Sequence, residues 1–192
     1  MCTWPGNDKL MQKYHDEEWG VPVLDDKKHF EFIILESFQA GLSWKTILHR
    51  RKGFKKAFAN FDYKKVAKFT SKDVERLMQD EGIIRNRLKI QAMITNAKAF
   101  IQIQKEFGSF NKYTWSFVKN KPIVNKLKAQ SDIQPVSPES DAMGLDMKKR
   151  GFKFRGSTIC YANMQAIGMV NDHMQTCKRF KEINLIHKDL KI

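Results

Sequence analysis

Two sets of residues in this chain have types and spacings suited to chemistry. Cys2 and His15 stand near one end of the sequence, and His173 and Cys177 near the other. Two thiolates and two imidazoles are the donor set of a tetrahedral zinc site. The His173 to Cys177 spacing of i, i+4 predicts that both lie on one helix face. The Cys2 to His15 spacing is wider than in a zinc finger, and the competing reading is a buried Cys177 with a surface His173. A complete site would tie the two ends of the chain together and leave no coordination position for water, so its role would be structural. Cys160 is the third cysteine, and three cysteines cannot form a closed disulfide set.

The second set surrounds one carboxylate. From Phe32 to Trp44 the sequence reads FIILESFQAGLSW, and Glu36 is its only charged residue. A buried carboxylate needs hydrogen-bond donors, a cationic partner or a raised pKa. A structural anchor for neighbouring donors is one role for it, and recognition of a ligand is the other. Trp4, Tyr14, Trp19 and Trp44 are candidates to wall a flat slot in which the carboxylate accepts from an exocyclic amine while rings stack on a planar cation. Plain core packing is the alternative for each of them.

These groups need a frame, and the sequence points to a single all-α domain over residues 1–177, followed by a basic tail over 178–192 with no clear pattern. At 192 residues the chain can bury a sufficient core without crosslinks. Val74, Leu77 and Met78, then Ile83, Ile90, Ile94, Ala97 and Ile101, recur at helical spacing. Asp25 or Asp26 is placed to cap a helix carrying Phe30, Ile33, Ile34 and Phe38, Gly41 breaks it, and Ser43 caps another from Trp44. Phe152 to Arg155 is the one stretch with strand alternation, and Ser131 to Asp141 reads as a loop before a short helix that ends at Gly151. Between the helices of residues 71–106, Gly82 marks a hairpin, with Arg85, Arg87 and Lys89 opening the second helix. Backbone N–H groups and cations there would suit DNA phosphates without regard to base sequence. An ordinary core corner is the alternative.

Lys and Arg exceed Asp and Glu by 35 to 21, a net charge of +14, which favours a polyanionic partner and above all nucleic acid. A membrane-spanning run and a signal peptide are both absent from the sequence, so a cytoplasmic protein that does not engage membranes is expected.

Four segments taken together, YHDEEWGVP (Tyr14 to Pro22), LESFQAGLSWKTIL (Leu35 to Leu48), DEGIIRNRLKIQAMITNA (Asp80 to Ala97) and RGFKFRGSTICYANMQAIGMVNDH (Arg150 to His173), closely resemble the bacterial 3-methyladenine DNA glycosylase I family of the helix–hairpin–helix glycosylase superfamily. The resemblance runs from Cys2 to about Cys177. It implies an all-helical glycosylase fold, hydrolytic removal of 3-methyladenine from double-stranded alkylated DNA in base excision repair, and structural zinc on Cys2, His15, His173 and Cys177. It also implies that Glu36 accepts hydrogen bonds from the flipped-out base, with Tyr14 and Trp44 in the pocket and Trp4 and Trp19 close to it. Leu42, beside Gly41, would fill the gap left by the flipped nucleotide. Where the family has Asp-Pro-Leu-Tyr, this chain has Asp8-Lys9-Leu10-Met11, so Met11 stands in place of a pocket aromatic.

The expected DNA contacts are Gly41 and Leu42, Gly82, Arg85, Arg87 and Lys89 of the hairpin, and Lys153, Ser157 and Thr158 after Gly151. The larger superfamily's aspartate after the hairpin has no evident counterpart, and no lysine suggests itself for a Schiff base, so base removal without strand cleavage by a monomer is expected. The competing reading is a non-catalytic DNA-binding module that keeps the hairpin and the clasp but has a degenerate pocket. A zinc-organised RNA-binding protein is a further alternative.

Overall fold

Short polar residues begin most of the helices by taking up N–H groups that have no intrahelical partner. Asp8 caps α1 (Lys9–Glu17), Asp25 caps α2 (Asp26–Gln39) and Ser43 caps α3 (Trp44–His49). Next come α4 (Arg51–Ala57) and, after a 3-10 turn, α5 (Tyr63–Val66), capped by Asp62. A Thr70–Asp73 capping box starts α6 (Ser71–Met78), and Asn86 caps the long α7 (Arg87–Phe107). Ser109 caps α8 (Phe110–Ser116), Ser137 caps α9 (Pro138–Lys149), and α10 (Ser157–Ala166) and α11 (Lys178–Lys188) complete the set. The computed structural model describes residues 2–192.

The architecture is mainly helical, as expected. Helix α2 runs through the middle, packed by α3, α4, α7, α8 and α10. Phe30, Ile33, Ile34, Leu35 and Phe38 on it are fully buried, which explains why this segment reads as nearly continuous apolar sequence. Arg51 of α4 fastens the neighbouring helices, donating to both carboxylate oxygens of Glu18 at 2.7 and 2.8 Å and to Glu31 of α2 at 2.7 Å. Asp8 joins α1 to α3: it accepts from Met11 N–H at 3.0 Å and pairs with Lys45 at 3.0 Å and His49 at 2.9 Å. Those bonds hold its carboxyl well below the usual carboxylate range.

Three expectations about elements change. Phe152 to Arg155 is not a strand: Phe154 has φ +55°, which breaks extended backbone, and the segment is pinned to α7 instead. The strands are β1 (Ile123–Val124) and β2 (Val170–Asn171), a parallel pair with Ile123 opposite Val170, too short to leave an alternating pattern. Helix α9 begins at Pro138, inside the stretch read as loop, because Ser137 and Ser140 cap each other's backbone. The segment after Cys177 is a helix and not a free tail. Its Ile183 is fully buried, and Asn171 donates to Phe180 O at 3.1 Å and to Asn184 Oδ1 at 2.9 Å. One buried isoleucine plus polar docking gives no apolar periodicity to read. Among the described residues, no helix is long and apolar enough to cross a membrane.

Candidate active site

Glu36 sits in the last turns of α2, 2% exposed, on the wall of a cavity of about 230 Å³. Trp4, Tyr14, Trp19 and Trp44 line the same cavity. Their rings form a connected wall: Tyr14 and Trp44 centroids are 5.1 Å apart with planes at 51°, and Trp4 meets Trp19 edge-on at 5.1 Å. Glu36 Oε2, Trp4 Nε1 and Trp44 Nε1 are buried without hydrogen-bond partners. One acceptor and two donors, buried and unpaired in a ring-walled space, are poised for a planar ligand with polar edges. Burial pushes the Glu36 carboxyl up to about 8, with the charge of Arg155 pulling the other way. The carboxylate is therefore costly until a cation or donors arrive.

Further cavity residues were not singled out from the sequence. Gln39 lies one turn beyond Glu36 on α2, a spacing that would have revealed it. Ala162 and Gln165 come from α10, where Asp172 anchors Gln165 through a 2.7 Å bond from Nε2. Gln130, whose Oε1 is buried and unpartnered, and Ile133 arrive from a connecting segment with no local signal. Met11 does not line the Glu36 cavity. It is 7% exposed, packs in the core and faces the adjoining cleft with Asp8, Ser43 and Trp44, not the Glu36 cavity. The α1 face that carries Tyr14 into the cavity points Met11, three residues earlier, to its flank.

The four thiol and imidazole residues converge. Cys2 Sγ, His15 Nε2, His173 Nδ1 and Cys177 Sγ are all buried, and the four residues' ligand atoms lie within 4.8 Å of one another. Sulfur-to-nitrogen distances of 3.7, 3.8 and 3.9 Å are close to the roughly 3.6 Å edge of a tetrahedron with zinc-like bond lengths. The outward nitrogens are also occupied: His173 Nε2 bonds Trp19 O at 3.0 Å, and His15 Nδ1 bonds Asp16 Oδ1 at 2.7 Å. Such bonds select the tautomer that turns the other nitrogen inward. Burial holds the His173 imidazole down at about 4, neutral as a metal ligand must be. The residues fit a tetrahedral metal. His173 and Cys177, however, do not share a helix face: they lie in a turn closed by Cys177 N–H on Met174 O at 2.8 Å, and Cys177 is the N-cap of α11.

This cluster abuts the cavity. The His15 ring lies 5.5 Å from Trp4, and His173 is 4.6 Å from Trp19. Tyr14 and His15, consecutive on α1, thus serve the cavity and the cluster respectively.

The expected DNA contacts are spread unevenly. Gly41, with φ +78°, turns the chain out of α2, and Leu42 stands 41% exposed at the tip between cavity residues Gln39 and Trp44. Arg85 and Arg87 are exposed on the hairpin, Arg87 bonding Glu75 at 2.8 Å across it. Gly82 does not offer its N–H outward. That N–H donates to Asp80 Oδ1 at 2.8 Å, and α4 comes so close that Gly53 must be glycine: a Cβ there would overlap the Gly82 carbonyl oxygen. Lys89 does not fit the role of a free cation either. It is 6% exposed and its Nζ donates to Phe38 O at 2.9 Å and Ala40 O at 2.6 Å, ending α2 just before Gly41. Lys153 is exposed, with its backbone gripped on both sides by Asn96 of α7 at 2.8 and 3.0 Å. Ser157, whose hydroxyl bonds Asp141, and exposed Thr158 open α10.

The family model described as methyladenine glycosylase matches residues 4–181. "DNA-3-methyladenine glycosylase 1" of Escherichia coli (strain K12) is 51% identical over 176 residues, covering 92% of this chain and 94% of that protein. "DNA-3-methyladenine glycosylase" of Haemophilus influenzae is 45% identical over the same length, covering 92% and 95%. A solved 3-methyladenine DNA glycosylase I from Staphylococcus aureus, described for its recognition of 3-methyladenine, superposes with a TM-score of 0.90 at 35% identity over 92% of this chain and 94% of that one. With the family model and its relatives matching nearly all of its length, this chain belongs to the methyladenine glycosylase family.

Proposed function

We propose that this protein is a DNA repair glycosylase that hydrolyses the N-glycosidic bond of 3-methyladenine in double-stranded alkylated DNA and leaves an abasic site. The observation that carries this reading is Glu36: a buried carboxylate whose Oε2 has no partner, in a cavity walled by Trp4, Tyr14, Trp19 and Trp44. A degenerate pocket, which the DNA-binding-module reading required, is at odds with this cavity.

Alkylation at N3 makes adenine a cation. Unit charges about 4 Å apart attract by roughly 4 kcal/mol at an effective dielectric of about 20, equivalent to about 3 pKa units. Binding the cation therefore ionises Glu36, and neutral adenine gains nothing comparable. Glu36 accepts from the exocyclic amine and the rings cover the base. The glycosidic bond then breaks with its electron pair going to the base, which becomes neutral. A water oxygen bonds to the sugar carbon and its proton leaves to solvent. The protein's share is recognition, exclusion of bulk water and a fixed negative charge beside developing positive charge.

The phosphates rest on Arg85, Arg87 and Lys153, with Ser157 and Thr158 at the start of α10, and the hairpin acts as in helix–hairpin–helix proteins. Leu42 on its glycine turn occupies the space of the extruded nucleotide. Cys2, His15, His173 and Cys177 would hold structural zinc, which supplies a crosslink behind Trp4 and Trp19 and no reacting atom. The test is chromatography of bases freed from methylated duplex DNA. Expected is free 3-methyladenine without free adenine and with strands intact until alkali is added; release of no methylated base contradicts the reading.

A further inference from the structure

Four Asp, Glu, Lys or Arg side chains are buried among the described residues: Glu36, Lys89, Arg155 and Asp172. Two are fully engaged. Lys89 has two backbone carbonyls, and Asp172 accepts from Tyr161, Gln165 and Asn125 at 2.7 to 2.9 Å. Glu36 and Arg155 are the exceptions. Arg155 is 3% exposed and its Nη2 donates to Asn163 Oδ1, yet Nε and Nη1 are buried without partners, and no carboxylate forms a salt bridge with it. Glu36 Oε2 is likewise unpartnered. Arg155 enters from just ahead of α10, Asn163 lies on α10, and α10 packs against α2, which carries Glu36. The two incompletely paired charges are linked through α10: it carries Asn163, the one partner of the Arg155 side chain, and it lines the Glu36 cavity with Ala162 and Gln165, while Glu36 and Arg155 form no direct salt bridge.

We propose that Arg155, steered by Asn163, is a positioning residue for Glu36: a fixed internal cation that lowers the cost of ionising the carboxylate and so sets the pH at which the cavity accepts a cationic base. This deepens the glycosylase reading and rests on it. The other ionisable groups around α2 do not compete for the role. Tyr14 beside the cavity, Cys160 of α10 and Tyr113 of α8 are kept neutral by burial. Lys89 of α7 is spent on carbonyls, Arg51 of α4 on Glu18 and Glu31, and Lys45 and His49 of α3 on Asp8. Arg155 is also the one charge that pulls the Glu36 carboxyl down against its burial.

The test is the pH profile of kcat/KM for 3-methyladenine release from methylated duplex, which reports ionisations of the free enzyme. With ionised Glu36 as the accepting form, kcat/KM rises with pH. Arg155→Met is expected to displace that rising arm by about one unit to higher pH, a roughly tenfold loss along the arm that closes at its alkaline end. Arg155→Lys is expected to restore the wild-type position. A merely structural role would lower kcat/KM equally at every pH, and that result, or an unmoved arm, overturns the proposal. If Arg155→Met fails to fold, Asn163→Leu decides: it leaves the guanidinium unsteered, and an arm that stays in place overturns the proposal equally. Wild type that frees no 3-methyladenine refutes the glycosylase reading itself, whereas active wild type with unmoved variants refutes only the role of Arg155.

Discussion

Glu36 is a side chain that the fold would be better off without. Its carboxyl, raised by burial from an ordinary 4.5 to about 8, contributes stability that is fully present below about 4.5 and is lost as the pH rises through 8. Glu36→Gln is therefore expected to match wild type in denaturant titrations near pH 4.5 and to exceed it near pH 9, by at most roughly 4 kcal/mol. Equal stability across that range would mean that Glu36 is not desolvated. A stabilising change that removes activity is the signature of a group kept for its ligand. Trp44→Ala is expected to cost about 10- to 100-fold in kcat/KM, since one stacked ring contributes on the order of 1–3 kcal/mol; an unchanged kcat/KM would place Trp44 outside the base contact. Glu36 was legible because it is the only charge in its apolar run. Met11 was misplaced because a position in a motif does not say which side of a helix meets the cavity. Gln130 and Ile133 were out of reach, since a segment without periodicity gives no clue to the wall it joins.

The helices read well where short polar caps and 3.6-residue spacing agree, as at Asp25, Ser43 and the pair around Gly82. What spacing cannot show is where a lysine's flexible stem leads. Lys89 looked like a cation opening a helix, and it reaches back to end α2 instead. This separates two variants. Replacing Arg85 and Arg87 together by Gln is expected to flatten the log–log salt dependence of DNA binding by up to about 1.8, at about 0.9 per phosphate contact. Lys89→Met is expected to leave that slope unchanged while lowering stability and slowing base release, because the Gly41–Leu42 turn loses its anchor. A slope that drops in Lys89→Met and not in the arginine variant would reverse these assignments. Glycine spacing hid a second packing fact, the close approach of Gly53 to Gly82. Gly53→Ala must shift the hairpin and is expected to cost about 1–3 kcal/mol in denaturant titrations; no cost would mean that α4 does not brace it.

Segments near the two ends of the chain meet behind the aromatic wall, so Cys2 and Cys177, far apart in sequence, share one cluster. That convergence was readable from residue types, although the helix expected to carry His173 and Cys177 is a turn. The helix after Cys177 was not readable, because it docks by one isoleucine and by Asn171. If Cys2, His15, His173 and Cys177 hold zinc, one equivalent per chain is expected by elemental analysis, and a strong chelator should lower the melting temperature and perturb tryptophan fluorescence from Trp4 and Trp19. Chelation without either change would contradict a metal clasp. On the proposed reading, the net charge of +14 draws DNA to a pocket whose selectivity rests on the buried Glu36 carboxylate.

That charge is tested most directly by chromatography of the bases released from methylated duplex DNA by wild type and by Glu36→Gln, with equal folding of both verified. Free 3-methyladenine from wild type, and at most a small fraction of it from the variant, is the expected result. Equal release by both proteins would contradict the recognition of the damaged base by Glu36.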